Sequence, residues 1–326
     1  GWSVSLSADG TKVAIGAIDN DGTAESAGHV RIYNYNGTAW TQLGADIDGE
    51  AGGEYAGDNS GLSVSLSADG TKVAIGANAN DGNGFNSGHV RIYNYTPSGT
   101  ASWTQLGADI DGEASSDYSG ISVSLSADGT KVAIGAYAND GNGSSSGHVR
   151  IYNYTPSGTA SWTQLGADID GEALYDSSGM SVSLSADGTK VAIGAIGNDG
   201  TASNAGHVRI YNYTPSGTAS WTQLGADIDG EAATDYSGKS VSLSADGTKV
   251  AIGAYGNDGT ASDAGHVRVY SLVTFSPTVT LTDNDADNLI KNTDVVSITA
   301  TFNESIGTTT PTITIKENDQ LVSNFY

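Results

Sequence analysis

Through the first 272 residues apolar and polar positions alternate with period two. In SVSLS, serines alternate with Val4 and Leu6, and in KVAIGA, Val13 and Ile15 share one face while small residues fill the other. This pattern predicts half-buried β-strands. The Ala-Asp-Gly between the two runs has the positive-φ chemistry of a tight hairpin. GHVRIYNY predicts a third strand, with Val30 and Ile32 opposite His29, Arg31, Tyr33 and Tyr35. WTQLGADI, beginning at Trp40, Trp103, Trp162 and Trp221, predicts a fourth. Between third and fourth lies NGTA, or TPSGTAS with Pro97, Pro156 and Pro215, which reads as an exposed turn. No segment carries a helical period.

The block SVSLSADGTKVAIGA recurs without change from Ser3, Ser63, Ser122, Ser181 and Ser240, so the chain is a repeat protein with units starting near 1, 61, 120, 179 and 238. An antiparallel four-stranded sheet repeated at this spacing predicts an all-β fold, a β-propeller of four-stranded blades over 1–273, because radial packing hides the strand edges. A stacked β-solenoid is the competing architecture. Its coils usually run ~20 to 50 residues and seldom hold a complete meander. From Pro277 the pattern becomes PTVTLTDNDAD and then VSITATFNES, with Val296, Ile298, Ala300 and Phe302 in period two. Residues 274–326 therefore read as the start of a β-sandwich, cut off at about half the usual length.

Composition narrows the function classes. There are 37 acids against 13 bases, a formal net charge of -24, and no cysteine. Such a field repels nucleic-acid phosphates and bare anionic membranes, so neither is expected as a partner. No apolar run reaches the ~20 residues of a membrane helix. The chain opens at Gly1 inside a repeat, which predicts an excerpt from a longer protein, and a cysteine-free chain of this size is compatible with bacterial secretion.

In an antiparallel meander the hairpins joining strands one to two and three to four share one end, and the other two connections share the opposite end. That second end collects DIDGEAxxDYSG and AxxNDGxxxxxG. They hold every acid of the repeat region except Asp9, Asp69, Asp128, Asp187 and Asp246, with Lys239 their only base. The repeats also differ almost only there. A rigid scaffold with varied loops on one face is a common way to build a binding surface, which makes Phe85, Tyr118, Tyr137, Tyr175, Tyr236 and Tyr255 candidate ligand contacts. Drift of loops on which nothing packs is the alternative. Closely spaced carboxylates around a glycine also suit a hard cation, so calcium is a candidate at Asp46, Asp48 and Glu50, at Asp109, Asp111, Glu113 and Asp117, at Asp168, Asp170, Glu172 and Asp176, and at Asp227, Asp229, Glu231 and Asp235. Solvated or turn-capping carboxylates are the competing reading. His29, His89, His148, His207 and His266 fall in one register before Val-Arg, and fivefold recurrence predicts a packing or hydrogen-bonding role, as it does for the arginines and the tryptophan leaders. No nucleophile elbow and no unique Ser, His and Asp set is present. An enzyme is not expected from these residues.

The repeat resembles the FG-GAP repeats of integrin-α-type propellers and their bacterial relatives. Ser119-Gly120 stands where that family has Phe-Gly, and Gly135-Ala136 where it has Gly-Ala-Pro, the proline being replaced by Ile18, Asn78, Tyr137, Ile196 or Tyr255. The family's calcium loop joins strands one and two, and that hairpin here offers a single carboxylate, so the family site does not carry over. The resemblance also implies a tryptophan strand ahead of Gly1, either closing a ring of five blades or preceded by further repeats, the family's usual seven blades favouring the second. The tail is similar to the bacterial Ig-like domains of large adhesins. Together these imply an extracellular binding or adhesion module on a bacterial surface, taking a protein or carbohydrate ligand through the acidic face, with calcium as a possible helper. A structural spacer without a ligand is the alternative. A polysaccharide-active enzyme would need its site outside this segment.

Overall fold

The computed structural model describes residues 1–50, 57–97, 102–156, 161–215, 220–272, 313–317 and 320–325. The chain divides into two compact units, Gly1–Leu272 and Val273–Tyr326. In the first repeat, Ser3–Leu6, Lys12–Ala17 and His29–Tyr35 form an antiparallel meander with Val4 opposite Ile15 and Leu6 opposite Val13. The fourth strand is broken. Trp40–Gln42 pairs with one end of the third strand and Ile47–Asp48 with the other, the break falling at Gly44, whose φ is +78°.

The same sheet recurs on Ser63–Leu66, Lys72–Ala77, His89–Thr96, Ser102–Gln105 and Ile110–Asp111. It recurs again on Ser122–Leu125, Lys131–Ala136, His148–Thr155, Ser161–Gln164 and Ile169–Asp170, and on Ser178–Leu184, Lys190–Ala195, His207–Thr214, Ser220–Gln223 and Ile228–Asp229. The fifth sheet has three strands, Ser240–Leu243, Lys249–Ala254 and His266–Ser271. The repeat unit is thus an all-β, five-bladed β-propeller with four-stranded antiparallel blades, the last lacking its fourth strand among the described residues.

Its core lies between blades rather than within them. Ala74, Val90, Ile92 and Ile110 of the second blade meet Val123, Leu125, Val132 and Ile134 of the third, with Trp162 against the same cluster. Equivalent clusters fill the other three seams. Burial of this kind stabilises by about 25 cal/mol for each Å² of apolar surface removed from water.

The invariant polar residues are also spent on the seams. The hairpin tips form a backbone ladder, Ala8 N–H to the Ala68 carbonyl at 2.9 Å, then Ala68 to Ala127, Ala127 to Ala186 and Ala186 to Ala245, each at 2.8 Å. The Ser65 hydroxyl accepts from the Leu125 amide at 2.9 Å, and Ser122 donates to the Gly179 carbonyl at 2.8 Å. Lys72 and Lys131 each reach the backbone carbonyl of the next hairpin aspartate, Asp128 and Asp187, at 2.8 Å. Trp103, Trp162 and Trp221 each donate the indole N–H to a leucine carbonyl of the preceding blade, Leu43, Leu106 and Leu165, at 2.7 Å. The serine and indole bonds satisfy polar groups that blade packing would otherwise strand from water, while the lysine bonds lie at the exposed edge of the seam.

Two glycines explain the closeness of the seam. Gly135, next to last in the second strand, faces the Gly179 carbonyl, and a methyl added at Gly135 would collide with that backbone. Gly179 itself has a φ of +87°, a conformation that other residues reach only with strain. These are the Gly-Ala and Ser-Gly dipeptides noted in the sequence, now seen touching across consecutive blades.

The outermost faces are uncovered. Val4 and Leu6 are 68% and 60% exposed, against 9% and 7% for Val123 and Leu125. At the other end Val267 and Val269 are 70% and 68% exposed, where Val149 and Ile151 are fully buried. In the second unit the described residues form one antiparallel hairpin, Ile313–Glu317 with Gln320–Phe325. The expected sandwich over 274–326 otherwise lies outside the described residues.

Gly135→Ala is therefore expected to lower unfolding free energy in chemical denaturation by about 1–3 kcal/mol, the usual cost of overpacking. Gly253→Ala, at the same repeat position but facing only the Ser240 side chain, should cost clearly less.

Candidate functional site

The two acidic loop families do gather at one end and bind each other. Asn83 donates from Nδ2 to the Gly112 and Glu113 carbonyls at 2.9 and 3.0 Å, and Asn142 does the same to Gly171 and Glu172. Backbone bonds from Ser116 to Phe85 and from Tyr118 to Asn86 tie the same loops together. Within each NDG turn the asparagine side chain holds the glycine amide, as Asn139 Oδ1 does with Gly141 at 2.8 Å, an Asx turn.

The carboxylates that stand together in sequence are parted by the fold. Asp117 is 3% exposed; its Oδ2 accepts from the Ala114 amide and from Asn139 Nδ2, both at 3.0 Å. Asp176 and Asp235 make the equivalent bonds with Asn198 and Asn257. These three aspartates fasten one loop to the other through Oδ2. Asp111 lies beside Gly82, with Asp48, Asp170 and Asp229 equivalently placed by Gly22, Gly141 and Gly200. Burial pushes the carboxyls of Asp111 and Asp170 up, helped by Asp109 and Asp168 respectively. Asp109 and Glu113 go to different seams.

What assembles instead is a set of mixed triplets. Glu50, His89 and Asp109 bring one ligand atom each to within 4.8 Å of one another, as do Glu113, His148 and Asp168, and Glu172, His207 and Asp227. In each, the histidine and aspartate come from one blade and the glutamate from the loop leading into it. His29, Asp46 and Asp48 form a fourth set, wholly within the first blade. These groups can hold a metal ion. Glu231 stands 3.7 Å from His266 Nδ1, and no fourth-strand aspartate completes that set among the described residues.

Arginine frames each triplet. Arg150 Nη1 lies 3.5 Å from Glu113 Oε1, its Nη2 donates to the Asp111 carbonyl at 2.7 Å, and its guanidinium stacks on Tyr152 at 5.6 Å. Arg91, Arg209 and Arg268 repeat this. Arg31 makes a different contact. It folds back as a bidentate clamp on Asp46, 2.8 Å from Nη2 to Oδ2, and holds that carboxyl below the usual range.

The histidines are buried at 1% exposure for His89, His148 and His207. Burial, with the nearby arginine, drives the imidazole pKa of His89 and of His148 down to about 4, and lowers that of His207. They are therefore neutral near pH 7. No hydrogen-bond partner reaches Nδ1 or Nε2 of His207. The packing role expected from recurrence describes their backbone setting, but not this unpartnered nitrogen. The sequence held a signal for it in the invariant Gly-Glu-Ala ahead of the second to fifth blades, whose glutamate reads as loop charge until the blades are set side by side.

The candidate aromatic contacts all lie at the same end. Tyr118 stacks on Tyr137, ring centroids 5.5 Å apart, and Tyr236 on Tyr255 at 5.2 Å and 5° between planes. Tyr118, Tyr175 and Tyr236 have left-handed backbone, with φ of 55°, 65° and 53°. Phe85, Tyr175 and Tyr255 are 52%, 61% and 54% exposed. Loop variation is thus partly paired, since a tyrosine in one loop accompanies a tyrosine in the other.

The sequence profile described as the FG-GAP repeat matches residues 108–152, which run from the end of the second blade into the third strand of the third. The first unit is thus a β-propeller, and one stretch of it, reaching into the third blade, matches the FG-GAP repeat. Among solved structures, the chain is similar to hydrazine synthase of Kuenenia stuttgartiensis at 12% identity and a TM-score of 0.44, covering 82% of this chain and 70% of that one. It is also similar to a putative 6-phosphogluconolactonase from Bacteroides uniformis at 11% identity and a TM-score of 0.45, covering 82% of this chain and 80% of that one. Comparison with curated proteins gives no match.

A neutral buried imidazole makes stability depend on pH. Between about 4 and the unfolded value near 6.5, the unfolded chain binds protons that the folded chain refuses, so stability is full above that window and falls as pH drops through it, by up to about 1.4 kcal/mol per pH unit for each histidine. In an NMR titration His89 and His148 are expected to protonate well below 6.5; normal midpoints would contradict the burial argument.

Proposed function

We propose that this propeller is a non-enzymatic binding module of an extracellular, bacterial cell-surface protein, taking a protein or carbohydrate ligand on its acidic rim. The observation that carries the reading is the placement of Phe85, Tyr175 and Tyr255, each more than half exposed, on the same end as the acidic loops. Aromatic side chains at that exposure present a flat apolar surface with little conformational entropy to lose, and they are enriched among binding anchors. Left-handed backbone at Tyr118, Tyr175 and Tyr236 adds support, because such strain is commonly kept where a loop must aim a side chain. Fivefold repetition argues against an enzyme, since a catalytic centre needs unlike groups assembled once.

The carboxylates serve this reading by steering cationic partners towards the rim. Calcium assistance fits less well than at the sequence level, because each assembled cluster includes an imidazole nitrogen, whereas calcium takes oxygen ligands. The spacer reading draws on a different fact, the reuse of one set of seam bonds at each blade boundary.

The variants Phe85→Ala, Tyr175→Ala and Tyr255→Ala, combined, separate the two. Binding of the full chain to a glycan array and to host-cell surfaces is expected to fall at least tenfold, with the melting temperature within a few degrees of the parent. Absence of any binding by the parent chain would favour the spacer, and unchanged binding by the variant would move the site off the aromatics.

A further inference from the structure

At three of the four seams an imidazole nitrogen and two carboxylate oxygens converge. His207 Nδ1 lies 3.9 Å from Glu172 Oε2 and 3.8 Å from Asp227 Oδ2, and His148 Nδ1 lies 3.8 Å from both Glu113 Oε2 and Asp168 Oδ2. These separations are too long for a hydrogen bond. They suit a shared cation, since ligand bonds of about 2.0–2.2 Å to zinc place neighbouring ligand atoms roughly 3–4 Å apart.

The remaining oxygen of each carboxylate is already taken. Glu172 Oε1 faces Arg209 Nη1 at 3.6 Å, and Asp227 Oδ1 accepts from Gln223 Nε2 at 2.6 Å. Asp168 Oδ1 accepts from Gln164 and Asp109 Oδ1 from Gln105, both at 2.5 Å. In each aspartate one oxygen is thus anchored by a fixed donor while the other is turned to the histidine. Outer donors that orient ligating carboxylates in this way are a usual part of a metal site. The second, independent sign of a ligand is His207 itself, 1% exposed, with an Nδ1 that has no partner and points into the carboxylates.

We propose that three seams of this propeller each bind a borderline divalent cation, with zinc as the type, through Glu50, His89 and Asp109, through Glu113, His148 and Asp168, and through Glu172, His207 and Asp227. One nitrogen and two oxygens match the donor preference of zinc and its neighbours and not that of calcium or magnesium. Each site joins a blade to the loop that enters it, so the ion cross-links the seam. The first blade is excluded, because Arg31 occupies both oxygens of Asp46 at 2.8–3.0 Å. The fifth is not included, because among the described residues His266 has Glu231 alone. This inference is independent of the rim-binding reading.

The test is isothermal titration of the full chain with zinc alone, in excess magnesium to saturate all-oxygen surface sites. Three ions are expected, with a rise in melting temperature, since an ion bound only by the native state stabilises it by mass action. The substitutions Glu50→Gln, Glu113→Gln and Glu172→Gln, at exposed side chains that leave the core intact, should each remove one ion. His207→Ala is the buried counterpart, and cobalt in place of zinc should show visible absorption bands that weaken by about a third in each single variant. Absence of zinc binding in magnesium, or three ions retained in every glutamine variant, overturns the proposal.

Discussion

Contact between consecutive blades is the constraint on which this molecule rests. A single four-stranded sheet of this sequence cannot bury its apolar face, and Val123 and Leu125 become core only when the second blade covers them. The seam is close because Gly135 meets Gly179 backbone to backbone, and that closeness obliges every polar group in the gap to find a partner across it. Serine hydroxyls, hairpin lysines, indole N–H groups and arginines supply those partners. The fifteen-residue block is invariant for this reason: nearly every position in it faces either the neighbour before or the neighbour after.

Much of this was legible in the sequence. Alternation in SVSLS and KVAIGA places Val4 and Ile15 as cross-strand neighbours, and meander geometry places the acidic loops together. What the sequence leaves open is anything that depends on two repeats at once. Glu113 stands next to Asp111 in the chain, yet its histidine is thirty-five residues later, in the blade that its own loop enters. Asp117 reads as a rim carboxylate and is a buried staple to Asn139. Neither fact has a local signature, because sequence spacing measures separation along the strand and says little about distance across a seam. The broken fourth strand is a similar case, since Gly44 looks like a turn until its two halves are seen on one partner.

Charge in the molecule is organised by the same geometry. The hairpin end pairs its acids locally: Asp128 accepts from Ser126 and Thr130, and its carboxyl is held below the ordinary range by those bonds and Lys131 although burial opposes this. The opposite end leaves its acids to repel one another, and burial lifts Glu113 and Asp170. Arginine is the base set against them at each seam, and it stacks on tyrosine there. One end of the propeller is therefore electrostatically settled while the other retains unspent potential.

The bare faces at Val4 and Leu6 and at Val267 and Val269 have a consequence for cooperativity. In a linear array with only nearest-neighbour coupling, an interior unit is held from two sides and a terminal one from a single side. Amide protons of the third blade should outlast those of the first and fifth in exchange with heavy water, so that the array frays inwards and its midpoint is the last part to let go.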